Sequence, residues 1–480
     1  MWKRISLLTL FLVCFSFSGK PQFDTKKDWG AAIGLTWGSN VAIWSFNRFI
    51  ARSDFAYIGL NTVKENFKKG FVWDNDKVGT NMFGHPYHGS LYFNAARSNG
   101  FSFWEAGGFN LGGSLMWEML MENEYPSIND LVTTPVGGLI LGETFYRLSD
   151  VILDDRAVGF ERFGRELTGL VVSPVRGINR IIRGDAWRKR NASGRQFGIP
   201  DISVRVAVGM RALELKDELF DKGVGMTTTL HVEYGDRFAT KTEKPYDYFM
   251  LNANLHVQKM QPVLGQINIK GRLYSTGLMD SPKDFLSLGV YQHFDYYDSD
   301  IISAVSPYVP YRFCAPASFG LGLVYDNKRF RKWKIDSFFH ANVILMGASL
   351  SDHYVVDDRN YNLANGFSWQ WGINLSNRKK FSASLHYEGF RFFTWKGYDK
   401  EMDWGSVDPR SLNVQGDESQ AISQALHFRM EYKLANRLYL TGTYSNYFRE
   451  TTYRYFDDVF SQTSEGKFML TYFFKSLPSN

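Results

Sequence analysis

The stretch FMLNANLHV, residues 249–257, decides the fold, because every second side chain in it is apolar. Phe249, Leu251 and Val257 belong to the apolar set, and Asn252 and Asn254 to the polar set between them. This period of two is typical of a β-strand with one apolar and one polar face. The residues around it therefore belong to a sheet with two different faces.

The same period recurs through the second half of the chain, for example in FSWQWGINL at 367–375 and LHFRMEYKL at 426–434. Counting such stretches predicts twelve strands, beginning near 201, 223, 247, 263, 284, 315, 333, 366, 380, 422, 437 and 466. An apolar strand face needs a covering layer, and a lipid bilayer covers it if the sheet closes on itself. We predict a transmembrane antiparallel β-barrel of about twelve strands over residues 201–480. The soluble alternative is a large jelly roll or double-sheet lectin.

Composition agrees with this class. The 480 residues are 44% hydrophobic and 22% charged, which excludes a disordered chain. Aromatic residues make up 16%, beside 43 glycines, as expected for strands with aromatic girdles and tight turns. The net charge of +6 comes without a long block of like charges, so we expect no nucleic-acid partner.

The first 18 residues have the pattern of a secretory signal peptide. Lys3 and Arg4 precede an apolar run at 5–15, and Ser16 and Ser18 form a small-x-small cleavage site. We therefore expect export to the bacterial outer membrane, with its lipids as partners. Cleavage leaves Cys314 as the only cysteine, which excludes an intramolecular disulfide framework.

Residues 19–183 carry helical apolar stretches interrupted by polar and charged residues, so none is a convincing membrane span. We predict an α-helical domain that plugs the barrel lumen or caps its periplasmic mouth. A polar, basic linker at 184–200 separates it from the strands.

Histidines are frequent on the polar phase of the strands, which faces the lumen of a barrel. They are His231, His256, His293, His340, His386 and His427. Filling space in a polar lumen explains them. A lumen that responds to pH or binds metal is the alternative.

The helical domain holds the residues most suited to chemistry. His85 and His88 are three apart, and Glu118 and Glu122 are four apart, so each pair can share a helix face. Together they could form a His₂–carboxylate metal site or an acid/base pair. The catalytic candidates are His85, His88, Glu118 and Asp130, and the ligand-binding candidates are Arg97, Trp117, Glu122, Asn129 and Glu143.

Neither H-E-x-x-H nor G-x-S-x-G is present, so the motifs specify no metal, cofactor or nucleophile. Structural roles are the alternative for the same residues. Polar side chains of a plug bond to the barrel wall, and Asn129 or Asp130 can cap a helix. Asp74, Asp76 and Gly79 suggest a calcium loop, but no bidentate Glu follows at the last position.

An ordered series of motifs in this domain resembles the bacterial family known as domain of unknown function 3943. The motifs are HPYHGS at 85–90, AARSNG at 95–100, SLMWE at 114–118, PSINDL at 126–131 and TPVGG at 134–138, and the resemblance covers roughly residues 70–185. It implies a protein associated with the outer membrane of Gram-negative bacteria. It implies no reaction.

Two functions remain open on the sequence alone. One is a plugged barrel with a structural or gated-conduit role in the envelope. The other is a membrane-embedded enzyme that acts on a lipid, lipopolysaccharide or envelope glycan through His85, His88 and Glu118.

Overall fold

The structure is a computed structural model that describes residues 26–215, 224–302, 308–330, 332–377, 380–404, 406–408, 410 and 412–475. The predicted signal peptide lies outside the described residues.

Twelve strands form a closed antiparallel barrel in which each strand pairs with its sequence neighbours and β1 pairs with β12. This confirms the predicted fold class. The strands are β1 Ile202–Leu215, β2 Val224–Tyr234, β3 Phe249–Val257, β4 Leu264–Asp280, β5 Asp284–Asp298, β6 Arg312–Asn327, β7 Lys334–Leu350, β8 Tyr361–Ser376, β9 Phe381–Thr394, β10 Ser419–Ala435, β11 Leu438–Tyr453 and β12 Val459–Lys475.

The alternation in each strand separates an apolar outside from a polar inside. In β3, Leu255 and Val257 are exposed on the outer surface, whereas Asn252 and Asn254 line the lumen. Closure leaves no unpaired sheet edge, and the exposed outer side chains are apolar. This combination is that of a transmembrane barrel.

The two ends of the barrel differ in the length of their connections. Residues 351–360 and 395–418 connect strands at one end, which we call the long-loop end. The connections 281–283 and 436–437 lie at the other, short-turn end. The longer connection 235–248 at the short-turn end turns back onto β4, where Lys241 bridges to Thr276.

Seven α-helices precede the barrel in the described part of the chain: α1 Trp29–Ser45, α2 Leu60–Lys69, α3 His85–Arg97, α4 Phe103–Leu120, α5 Ile128–Ile152, α6 Gly159–Val172 and α7 Pro174–Ile182. Ser102 caps α4 in a capping box with Glu105, and Ser127 caps α5. None of these helices is both long and apolar enough to cross a bilayer.

Glycines let α3 and α5 approach each other closely. A Cβ on Gly138 would lie 2.8 Å from the Cα of Gly89, and one on Gly89 would lie 2.1 Å from the carbonyl oxygen of Thr134. Gly108 and Gly112 have open space around them instead. The tight helix packing therefore depends on Gly89 and Gly138.

The helical domain packs against the outer surface of the barrel. Its core side chains Ile140 and Leu141 share one apolar cluster with Leu251 and Ile269, which are on the outward phase of β3 and β4. The lumen cavity is lined by strand and connection residues, without a helix residue among the described ones. The expected plug or cap is therefore wrong: apolar helix faces find their partner on the apolar outside of the barrel, because the lumen wall is polar.

The lumen is filled toward the long-loop end. Tyr297, Phe313, Phe390 and Tyr447 come from four different strands and are nearly inaccessible to solvent in one cluster. Toward the short-turn end, a cavity of about 370 Å³ remains. Its lining includes His231, His340, His386 and His427, as the polar phase of the strands predicts.

Candidate metal centre

Three side chains from three helices meet near the start of α5. They are His85 at the first position of α3, Glu118 in the last turn of α4 and Asp130 in the first turn of α5. One possible ligand atom from each lies within 4.8 Å of those of the other two. His85 Nε2 is 3.6 Å from Asp130 Oδ2. All three residues were predicted as catalytic candidates, and the fold brings them together although 45 positions separate the first and the last.

The cap of α5 holds Glu118 in place. The Ser127 hydroxyl accepts a hydrogen bond from the Asp130 amide, and the Ser127 amide donates to Glu118 Oε2 over 2.8 Å. One carboxylate oxygen of Glu118 is thus bound to the helix start. The Glu118 carboxyl also meets the side chain of Glu122, and one of its oxygens lies near His85 and Asp130.

Asp74 is a fourth acidic group at this site that the sequence analysis did not include. Asn129 Nδ2 donates to Asp74 Oδ2 (3.1 Å) and to Asp130 Oδ1 (3.0 Å), and Asn81 Nδ2 donates to Asp74 Oδ1 (2.5 Å). Asn129 therefore positions two carboxylates, in addition to lying in the first turn of α5. The available signal for Asp74 was the D-x-D pattern at 74–76, which we considered only as a calcium loop.

The cluster holds several buried carboxylates with little compensating charge. Glu118 is 1% and Asp130 2% exposed, and in the described part of the chain neither forms an ion pair with Lys or Arg. Burial raises the pKa of Glu118 to about 8, and the charge of Asp74 adds to this. Burial also raises the pKa of Asp130 well above its usual value. Buried acids without a cationic partner are costly unless they are protonated or bind a cation.

His88 is not one of the three clustered side chains. Its Nε2 forms a 2.7 Å hydrogen bond with the Tyr92 hydroxyl, and its ring packs edge-on against Trp117 at 4.7 Å. Burial lowers the pKa of His88 to about 3, which keeps the ring neutral. The structure therefore does not bring His88 together with His85 as a second ligand.

Glu122 and Trp117 lie beside the cluster. Trp117 Nε1 donates to Glu122 Oε2 over 3.1 Å. Because α4 ends at Leu120, Glu122 lies beyond the helix, but its carboxyl still interacts with that of Glu118.

Arg97 and Glu143 belong to a separate ion-pair network. Arg97 Nε and Nη2 bind the Glu143 carboxylate at 2.8 and 3.0 Å, and Arg147 Nε binds it at 2.8 Å. Arg97 ends α3, twelve residues after His85, which corresponds to about 18 Å along a helix. These two ligand-binding candidates are therefore not brought to the cluster, and their contacts are those of a structural network.

The donor set suits a divalent transition metal. Imidazole nitrogen and carboxylate oxygen together bind Zn²⁺, Mn²⁺ or Fe²⁺. Buried polar atoms near the cluster also have no hydrogen-bond partner, including Asn81 Oδ1 and the hydroxyl of Thr133, one turn after Asp130. Unsatisfied buried polar atoms at one place are compatible with an additional ligand or ion.

Comparison with solved structures finds proteins with barrels of the outer membrane. NanC porin is 8% identical, with 57% of this chain and 99% of that chain covered and a TM-score of 0.28. The channel DcaP of Acinetobacter baumannii is 10% identical (57% and 96% covered, TM-score 0.24), and OmpT of Vibrio cholerae is 8% identical (57% and 97% covered, TM-score 0.23). These likenesses are too distant to carry an argument about function. No curated protein matches the chain.

The candidate metal ligands His85, Glu118 and Asp130 all lie within the helical part of the chain that the sequence motifs singled out. The matching family model covers residues 70–175, from just before Asp74 into α7, and it confirms the predicted resemblance. This part of the chain matches a domain of unknown function, DUF3943.

Proposed function

We propose that this protein is a metal-dependent hydrolase of the bacterial outer membrane that acts on a lipid, lipopolysaccharide or envelope glycan. His85, Glu118 and Asp130 hold the metal, and the barrel anchors the helical domain. The observation that carries the proposal is the convergence of these three side chains, with ligand atoms within 4.8 Å of one another, inside the helical domain.

The surroundings of the cluster support a metal rather than a simple ion pair. Among the residues that the structure describes, His85 is the one nitrogen base in the cluster beside Glu118, Asp130 and Asp74, and a neutral imidazole cannot neutralise these three carboxylates. A divalent cation compensates buried carboxylates and orders them, as hydrogen bonds from Asn129 and Asn81 already do here.

The chemistry proposed is hydrolysis. A metal of this type lowers the pKa of a bound water and so supplies a nucleophile near neutral pH. The water oxygen would form a bond to the phosphorus, carbonyl carbon or anomeric carbon at the bond that is cleaved, the bond from that atom to the leaving oxygen would break, and the leaving oxygen would take up the proton. No oxidant or further reactant is required.

The barrel serves as an anchor in this proposal. The aromatic cluster around Tyr297 and Phe390 occupies the lumen toward the long-loop end, and the helices lie outside the wall. Both observations speak against a conduit that a helical plug opens and closes.

The test is elemental analysis of the full-length protein purified in detergent. We expect about one transition-metal ion per folded chain in the wild type and a loss of most of it in the variants His85→Ala and Asp130→Asn. His88→Gln is the matched control, because His88 lies one turn away and bonds to Tyr92 instead. Absence of metal in the wild type after growth and dialysis with Zn²⁺ or Mn²⁺, or equal metal in all variants, would overturn the proposal.

A further inference from the structure

Three outer helices of the domain bury polar side chains and expose apolar ones, the reverse of a helix in a water-soluble bundle. In α1, Thr36 and Asn40 are buried, whereas Trp29, Ile33 and Trp37 are about half exposed. A helix on the surface of a water-soluble protein buries its apolar face and exposes its polar face. The opposite arrangement in α1 would be unfavourable in water.

Helices α6 and α7 repeat this inversion. In α6, Arg162 is buried while Phe160 is 87% and Val171 71% exposed. In α7, Arg176 and Asn179 are buried and Ile182 is 70% exposed. The buried arginines are satisfied internally, so the apolar side chains are left for the surroundings.

The position of the helical domain on the barrel indicates what covers its apolar outer face. It packs on the outward faces of β2 to β8, and beyond it the same outward phase continues with exposed Leu255, Phe367 and Val257. The lipid that surrounds the exposed part of the barrel therefore borders directly on the helices. An apolar face that is continuous with the lipid-facing surface of a barrel is covered by the same acyl chains.

The candidate metal centre lies at the long-loop end of this arrangement. Arg359, in the connection 351–360, donates from Nη1 to the Asp74 carbonyl over 2.5 Å, and Asn81 Nδ2 donates to the hydroxyl of Tyr361, the first residue of β8, over 2.8 Å. Helix α2, with its exposed Lys64, Lys68 and Lys69, is joined to the same region, because Asn66 Nδ2 donates to the carbonyl of Glu122 over 3.2 Å. The charged lysines of α2 lie beside the cluster, and the exposed apolar side chains lie on the other helices of the domain. This separation places the cluster at the depth of the lipid headgroups.

We infer that the helical domain is embedded in the bilayer beside the barrel, with lipid covering its outer face, and that the substrate of the metal centre is a membrane lipid of the leaflet at the long-loop end. In an outer-membrane barrel the long loops are external, so this is the outer leaflet. The placement of the domain stands on burial and packing alone. The substrate class rests on the proposed function.

The placement is tested by spin labelling of single cysteines in a background with Cys314→Ala. The full chain is reconstituted into vesicles of phosphatidylethanolamine and phosphatidylglycerol. Labels at Trp37→Cys and Phe163→Cys should be more accessible to oxygen than to a water-soluble nickel chelate. The barrel variant Met210→Cys is the lipid-exposed control, and Lys283→Cys, in the short connection 281–283, is the water-exposed control. Nickel accessibility at both helical positions equal to that at Lys283→Cys would overturn the placement.

The substrate class is tested with the metal-loaded protein in vesicles that contain lipopolysaccharide. Mass spectrometry should detect cleaved lipid with the wild type and at least tenfold less with Asp130→Asn. Cleavage of a soluble glycan fragment at an equal rate without vesicles would overturn a lipid substrate while leaving the metal site intact. Failure of the protein to bind metal would overturn the proposed function and the substrate class together, and the labelling result would be unaffected.

Discussion

Gln292 Nε2 donates a 2.8 Å hydrogen bond to the backbone carbonyl of Val136, and this bond joins the outward face of β5 to helix α5. The Gln292 Oε1 atom accepts from the Tyr246 hydroxyl at the same distance. A glutamine on the outer surface of a barrel would be unsatisfied in hydrocarbon. It is tolerated here because a helix, rather than lipid, covers it.

We expect Gln292→Leu to weaken the attachment of the helical domain. The variant removes both hydrogen bonds and leaves the Tyr246 hydroxyl without this acceptor, which should cost about 1–3 kcal/mol. Faster tryptic cleavage in the linker at 184–200 measures the effect. Gln420→Leu is the control, because Gln420 is exposed on the outward face of β10. Equal cleavage rates in the two variants and the wild type would contradict the role of Gln292.

The contact between α3 and α5 should not tolerate a methyl group. Gly138→Ala places a Cβ within 2.8 Å of the Gly89 backbone, so we expect a loss of about 1–3 kcal/mol in the free energy of unfolding. Gly112→Ala meets open space in the middle of α4 and should be neutral or stabilising by up to about 1 kcal/mol. Urea unfolding in detergent micelles, followed by tryptophan fluorescence, compares the two variants. The same midpoint for both would show that the helices are not in close contact.

The network of Arg97, Glu143 and Arg147 should matter for stability and not for metal binding. Glu143→Gln leaves two buried arginines without their shared carboxylate, which should cost about 3–5 kcal/mol. Glu161→Gln removes a partly exposed pair with Arg165 and should cost less than about 1 kcal/mol. Thermal unfolding measures the difference. Metal content per folded chain should equal that of the wild type, and its loss in Glu143→Gln would assign this network to the site after all.

The barrel should not conduct ions. The cluster of Tyr297, Phe313, Phe390 and Tyr447 fills the lumen, so the wild type should show no conductance steps in planar lipid bilayers. The double variant Phe390→Ala, Tyr447→Ala removes two of the aromatic rings that fill the lumen and should produce conductance steps. Phe339→Ala, on the outward face, is the control. Steps of the same size in the wild type and the double variant would show that this cluster does not close the lumen.

The strands were predictable because their pattern is local. Seven of the twelve predicted starts lie within one residue of the observed ones, from 201 against Ile202 to 437 against Leu438. The largest differences are β12, expected near 466 and beginning at Val459, and β8, expected near 366 and beginning at Tyr361. Both begin at the long-loop end. Helices cover the outward face at the start of β8, and in β12 the polar Gln462 and Ser464 take outward positions, so the apolar alternation is interrupted in both.

The candidate site was predictable in part. His85, Glu118 and Asp130 were found because residue type and spacing indicate metal or acid/base chemistry. His88 was predicted as a catalytic residue from its spacing to His85, but its ring nitrogen hydrogen-bonds to Tyr92, four residues later. Asp74 was not included, because its partner Asn129 is 55 positions away and no spacing rule connects them.

The amino-acid sequence alone specifies a barrel with an apolar outside and a preceding helical domain, because alternation in a strand follows from backbone geometry. Only the tertiary structure decides on which side of the barrel wall the helices lie. Val136 and Gln292 are 156 positions apart, and an outward apolar strand face has the same pattern under a helix as under lipid. Contacts between such distant residues leave no local pattern in the sequence. The position of the helices is decided during folding, because apolar helix faces pack favourably on the apolar outer wall and unfavourably against the polar lumen.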